Sequence, residues 1–318
     1  MAGPEVGQSG KPVQLLVGHS DTVWPLGTVS QMPVRVHDGT LTGPGVYDMK
    51  AGLVQMVFAA RALRELGIDP AVEPVALVTT DEEIGSPESW SSIVDWAKRS
   101  CRAFVMEPAY GLDGRIKTAR KGGGGFDITI RGRAAHAGLD PTAGASAILE
   151  LSHVIQKLHA LTDHDRGITV NVGVIQGGLR PNVIAPESRA HVDVRILHQE
   201  DAEPLEREIL ALQPQTEGVT IEVTGGIRRR PLEQTPRNRL LWEAARGAAV
   251  GMDLALESAT VGGGSDGNIT SQYTATLDGL GAVGDGAHAR HEFVYVDRLA
   301  ERTALLARLL LLPPDLEP

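Results

Sequence analysis

Three short apolar runs in this chain each end on a histidine or on carboxylates, and that repeat narrows the folds open to it. Residues 13–17 lead into His19, residues 75–79 into Asp81, Glu82 and Glu83, and residues 103–106 into Glu107. Near-continuous apolar strands are buried on both faces, as in parallel sheets. Between them, residues 51–66 place Leu53, Met56, Val57, Ala60, Leu63 and Leu66 at helical spacing, and residues 89–98 predict a second helix. Strand, helix, strand, helix, strand is the alternation of a mainly parallel sheet flanked by helices. Ligands of such sheets gather beyond the carboxyl ends of the strands, where these charged residues lie.

The pattern changes after Gly111. Residues 126–131 (FDITIR) alternate as a half-exposed strand, and residues 145–161 are helical with Ile148, Leu151, Ile155 and Leu158 on one side. Residues 168–175 and 189–197 alternate again, residues 203–212 predict a helix, and residues 219–223 a last strand. Strand-helix-strand-strand-helix-strand is the split βαβ arrangement, a compact α+β unit. At 318 residues the chain exceeds a comfortable single core. The expected class is therefore α/β: a sheet domain from residues 1–115 and 227–318, interrupted by an α+β domain over residues 116–226.

Five residues from the sheet domain suit one metal site: His19, Asp48, Glu83, Glu107 and His288. Two imidazoles and three carboxylates fit a pair of borderline cations such as zinc. Two divalent cations, three carboxylates and one hydroxide sum to zero charge. In HSDT, His19 and Asp21 share a face, so the Asp21 carboxylate can accept from the non-ligating ring nitrogen; a surface turn is the alternative. Asp48, between GPG and a helix, is either that helix's N-cap or a bridging ligand. The acidic triplet at residues 81–83 repels itself unless a cation neutralises it or water surrounds it. Adjacent side chains diverge, so Glu83 can hold metal while Glu82 serves as general base. In GDGAHARHE, His288 and His291 compete as ligands, and the small residues before His288 favour it. His136 in HAG is either a loop histidine or a donor to an oxyanion. GGGSDGN lacks the phosphate-loop lysine and predicts a tight turn lining a substrate pocket, with Gly263 as its contact.

Composition excludes several classes. A formal net charge of −10, with no basic stripe beyond residues 228–230, argues against nucleic-acid binding. One cysteine, Cys101, rules out a framework of internal disulfides. No apolar run reaches membrane-spanning length and residues 1–11 lack a signal-peptide core, so the cytoplasm is the default expectation.

With those residues in place, the chain resembles the M20 family of dinuclear zinc peptidases and deacylases, nearest to its glutamate carboxypeptidase, carboxypeptidase G2-like, branch. The likeness rests on GHSDTV, GPGVYDMKAG, TTDEEIGS, EPA, GRAAHAG, GLRPNVIAP, HVDVR, GGGSDGN and GAHARHE, in that order from residue 13 onward. It implies a zinc-exopeptidase-like sheet with an inserted ferredoxin-like dimerisation, or lid, domain. It implies two Zn²⁺, with Co²⁺ or Mn²⁺ as possible substitutes, and hydrolysis of an amide bond next to a free carboxylate. His19 and Glu107 would serve one ion, Glu83 and His288 the other, and Asp48 both. Asp21 would orient His19, and Glu82 would be the base. His136 would reach the active site of a partner copy in a homodimer. Asn182, Arg195 and Arg230 match positions that bind substrate carbonyl or carboxylate groups. The same motifs suit an N-acyl-amino-acid deacylase. An inactive relative would need a missing ligand or base, and none is missing. Family members carry a helix and strand ahead of the HxD strand, whereas 18 residues precede His19 here. The resemblance thus implies an exposed apolar sheet edge and leaves open whether a leader precedes it.

Overall fold

A computed structural model describes residues 9–316. Along the chain run β1 (Val13–His19), β2 (Arg35–His37), β3 (Thr40–Thr42), α1 (Ala51–Glu65), β4 (Glu73–Thr79), α2 (Trp90–Arg99), β5 (Ser100–Val105) and β6 (Ile116–Arg120). Next come β7 (Gly122–Arg131), α3 (Ala147–Ala160), β8 (Thr169–Gly177), β9 (Glu187–Ile196), α4 (Ala202–Leu210) and β10 (Thr220–Arg229). The chain closes with α5 (Pro236–Val250), β11 (Ser258–Val261), α6 (Asp266–Thr270), β12 (Ala275–Leu277), β13 (Gly284–Asp285), β14 (Phe293–Tyr295) and α7 (Val296–Leu309). Two compact units result: one runs to Arg120 and resumes at Leu232, and the other is Lys121–Pro231.

In the first unit β12, β5, β1 and β4 form an all-parallel sheet in that order. Every residue of β1 is buried, because both faces are covered. Leu16 and Phe104 point into a core with Met56, Leu241, Leu277, Leu305 and Leu309, while Leu15, Val17, Val75 and Val105 fill the opposite face. Helix α1 starts hard against the end of β5: a Cβ on Gly52 would lie 2.1 Å from the Met106 carbonyl oxygen. A separate antiparallel sheet joins β13, β14, β3 and β2, and β6 pairs in parallel with β11. That last pairing keeps residues 116–120 with the sheet unit rather than with the insertion.

The expected apolar face of α1 is rotated. Met56 and Leu63 are buried, with Gly52, Gln55 and Ala59 beside them, but Val57 and Leu66 are 65% and 71% exposed. Its apolar side is broader than the surface it covers. Val57 and Ala60 look instead over an open groove shared with Arg61, Arg64, Pro74 and Ala76, beside the edge strand β4.

The second unit is an antiparallel sheet in the order β10-β7-β9-β8. Helices α3 and α4 supply Leu151, Val154, Leu158, Leu205 and Ile209 to a core with Phe126, Ile128, Ile130, Val192 and Val194. This is the ferredoxin-like order of a split βαβ unit. Two expectations shift here. Ile148 is exposed and Val154 takes the core position, since the buried side of α3 follows Ala147, Leu151, Val154 and Leu158. The last strand continues to Arg229, because its pairing with β7 persists through the glycines at 123–125. Among the described residues no helix is long and apolar enough to cross a membrane.

Candidate metal centre

Four of the six acids and imidazoles that converge in the first unit share one origin. His19 ends β1, Glu82 and Glu83 follow β4, and Glu107 follows β5, all at the carboxyl edge of the parallel sheet. Asp48 and His288 do not share that origin. Asp48 lies between β3 and α1, and His288 sits in the hairpin between β13 and β14. Because β14 pairs with β3, the small antiparallel sheet brings these two loops together.

Asp48 stands at the centre. One of its oxygens is 3.2 Å from His19 Nε2 and the other is 3.4 Å from His288 Nε2. Glu107 Oε1 is 3.4 Å from His19 Nε2, and Glu83 Oε2 is 3.3 Å from His288 Nε2. Glu82 Oε2 stands further off, 4.0 Å from His19 Nε2. Two overlapping groups, His19 with Glu82 and Glu107, and His19 with Asp48 and Glu83, have donor atoms within 4.8 Å of one another. Asp48 is not the N-cap of α1: that position is Lys50, without a side-chain cap. His291 is exposed, and His288 reaches the cluster from a left-handed backbone, φ 63°, a strained conformation of the sort found at functional sites.

The acidic triplet separates as its charge requires. Asp81 turns away and accepts from the Glu88 and Ser89 amides and the Ser89 hydroxyl, at the start of α2. Glu82 and Glu83 turn inward. His19 Nδ1 lies 3.1 Å from the Asp21 backbone carbonyl and 3.4 Å from Asp21 Oδ1, while Asp21 Oδ2 accepts from the Glu83 amide at 3.0 Å. Asp21 thus faces that ring nitrogen with both its main chain and its carboxylate. The carboxylate also fixes the Glu83 turn.

The residues fit a cationic group. His19 Nε2 and Asp48 Oδ1 are buried without a hydrogen-bond partner, a costly state for polar atoms in a folded interior. The protonation balance carries the same message. Burial disfavours charge on His19, but the Asp48 and Glu107 carboxylates outweigh it and push the ring up to about 11. Asp48, though buried, is held below its ordinary value by the two imidazoles. His288 is pushed up to about 9 by Asp48, against partial burial. Glu83 is raised by burial and by the neighbouring Asp48 charge. A cation would relieve that crowding and displace the protons the imidazoles otherwise take up.

Arg120 and Glu292, absent from the sequence expectations, hold the cluster from behind. Arg120 is buried on β6 and donates to Glu107 Oε2 at 2.9 Å, to both Asp278 oxygens at 2.8 and 2.9 Å, and to the carbonyls of Gly263 and Gly264 at 3.1 Å each. Lys117, buried with its charge disfavoured, lies 3.7 Å from Glu107. Buried Asp266, raised by desolvation, accepts from Thr79 and Ser86. The only local hint of Glu292 is its place at the end of the His288 turn. Arg120 has no such hint, since a basic residue before a glycine run reads as a surface turn.

The remaining expected site residues lie elsewhere. Gly263 is exposed in the sheet unit, its carbonyl taken by Arg120. In the second unit His136 and Asn182 are neighbours, the Asn182 carbonyl accepting from the Ala137 amide at 3.0 Å. Arg195 on β9 donates to Asp193 at 3.0 Å, and Arg230 lies exposed just past β10.

A carboxylate and imidazole cluster at the carboxyl edge of a parallel α/β sheet is an arrangement of metal-dependent hydrolases. The chain belongs to the Peptidase family M20/M25/M40, whose profile matches residues 15–312. Carboxypeptidase G2 of Pseudomonas sp. (strain RS-16) is 27% identical over 315 residues, covering 96% of this chain and 74% of that protein. Acetylornithine deacetylase of Myxococcus xanthus is 34% identical over 200 residues, 59% of this chain and 50% of its own length. Among solved structures, the aminopeptidase PepT of Bacillus cereus superposes with a TM-score of 0.78 at 22% identity, covering 96% of this chain and 81% of that one.

Proposed function

We propose that this chain is a dinuclear zinc hydrolase that cleaves an amide bond adjacent to a free carboxylate, in the manner of a glutamate carboxypeptidase. The observation that carries this reading is Asp48, whose two oxygens face two different imidazoles, each paired with its own glutamate. His19 and Glu107 would hold one ion, His288 and Glu83 the other, and Asp48 both. Two zinc ions so held would supply Lewis acidity toward a water and a carbonyl.

Glu82 takes the proton of the attacking water and returns it to the leaving amine. His136 answers the negative charge that develops on the carbonyl oxygen. Its Nδ1 accepts from the Gly138 and Leu139 amides at 3.1 and 3.2 Å, so in the neutral ring the hydrogen sits on Nε2, which becomes the donor. Asn182, Arg195, Arg230 and Gly263 are the proposed contacts to substrate carbonyl and carboxylate groups. We further propose that two copies pair through the inserted unit, whose edge strand β8 exposes Val174 and Ile175. The cytoplasm is the proposed location.

Elemental analysis tests the first step: about two zinc ions per chain are expected, and a chain that takes up none sinks the reading. A panel of N-acyl glutamates, N-acetyl or N-succinyl amino acids and dipeptides separates the carboxypeptidase from a deacylase. The resemblance to an acetylornithine deacetylase makes that second reading the one to exclude. His136→Ala is expected to lower kcat by about 10²–10³-fold with unchanged thermal stability. Near-full activity in that variant would remove His136 from the mechanism.

A further inference from the structure

Glu292 is a carboxylate near the centre that accepts four hydrogen bonds, none of them from the side chain of a proposed ligand. It is 0% exposed. Its Oε1 accepts from the amides of Tyr47 and Asp48 at 2.9 and 3.0 Å. Its Oε2 accepts from the Gly45 amide at 2.8 Å and from Trp24 Nε1 at 3.1 Å. Four N–H donors from two loops thus converge on one side chain. Glu292 itself lies in the segment between β13 and β14 that carries His288. It is the knot between the Trp24 loop, the Asp48 loop and the His288 hairpin.

This arrangement has a directional consequence. His19 and Glu107 end the adjacent strands β1 and β5 and owe their spacing to sheet pairing. The Asp48 and His288 loops meet across a short antiparallel sheet, with His288 more than half exposed at its tip. Three amides of the Asp48 loop, those of Gly45, Tyr47 and Asp48, would be left without their acceptor if Glu292 were lost, and buried amides do not remain unpaired without cost. The Asp48 carboxylate would then drift relative to His288 before it drifts relative to His19.

We infer that Glu292 is a positioning residue that sets the second half of the centre, holding Asp48 at the spacing His288 and Glu83 require. The inference rests on the two-ion reading above. Glu292→Ala removes all four acceptor contacts. Glu292→Gln keeps one acceptor oxygen for the Tyr47 and Asp48 amides but turns an NH₂ toward the Gly45 and Trp24 donors.

The test is calorimetric titration of the metal-free full chain and both variants with Zn²⁺, alongside thermal unfolding of the metal-free proteins. The wild type is expected to take up two ions. In Glu292→Ala one ion should bind with nearly unchanged affinity, and the other should weaken by about 10–100-fold, the usual effect of losing a residue that orients metal ligands. Glu292→Gln should fall between. Co²⁺ absorption spectra should change for the weakened ion alone. Unchanged affinities for both ions in both variants overturn the inference while leaving the two-ion reading intact. Equal weakening of both ions, or loss of folding in both variants, assigns Glu292 to the scaffold instead and overturns it too. A wild type that binds fewer than two ions defeats the reading and the inference together.

Discussion

Glu82→Gln is expected to lower kcat by about 10²–10⁴-fold, the range supplied by a positioned general base, while zinc content stays at the wild-type level. Glutamine keeps the shape of the side chain and removes its proton affinity. Of the three carboxylates within reach of His19 Nε2, Glu82 stands furthest, at 4.0 Å against 3.2 Å for Asp48 and 3.4 Å for Glu107. That offset suits a group reaching a water rather than a cation. The competing geometry is the grouping of Glu82 with His19 and Glu107, in which Glu82 is a ligand. Parallel measurement of kcat and bound zinc separates the two: loss of metal together with turnover would make Glu82 a ligand and leave the proton transfer without its base.

Arg120→Ala is expected to destabilise the metal-free chain by about 3–5 kcal/mol, because it strands buried charges rather than removing a balanced pair. Asp278 is fully buried and Glu107 nearly so, and Arg120 is the cation that faces both at hydrogen-bond distance. The coupling runs both ways. Burial disfavours the guanidinium charge, yet Asp278 and Glu107 more than restore it, and Arg120 in turn helps keep Glu107 below its ordinary value despite burial and the Asp48 charge. A domain stable by about 5–15 kcal/mol loses much of its margin at that scale. Arg120→Lys should recover only part of the loss, since a single ammonium cannot span two carboxylates and two carbonyls at once. Urea midpoints of the three proteins decide it, and an unmoved midpoint in the alanine variant would mean the acids are neutralised some other way.

Four of the six groups of the centre were legible as the ends of strands. A run such as LLVGH or AFVME carries its own instruction: the apolar stretch must be buried as a strand, and the polar residue that ends it must emerge at the strand's carboxyl edge. His19, Glu82, Glu83 and Glu107 were placed on that ground, and they meet there. Helical periodicity likewise located α1 and α3. It misjudged which side of each is covered, because Val57 and Ile148 are as apolar as their buried neighbours and only the packing partner distinguishes them. Asp48 carried two readings, cap or ligand, that no local pattern separates.

Composition and spacing along a few residues settle where strands end on charge, which acids and imidazoles are available, and which family the chain resembles. Folding in three dimensions adds that one small sheet joins the loops of Asp48 and His288, that Asp81 serves α2 instead of the centre, and that the main chain and carboxylate of Asp21 both face the His19 ring. The same folding brings the Glu292 carboxylate to the Gly45 amide across 247 positions of chain, and Arg120 to Asp278 across 158. Periodicity reports the burial of a residue's own segment. The partner of a buried charge is chosen by strand pairing between segments far apart, and nothing in either segment records the other.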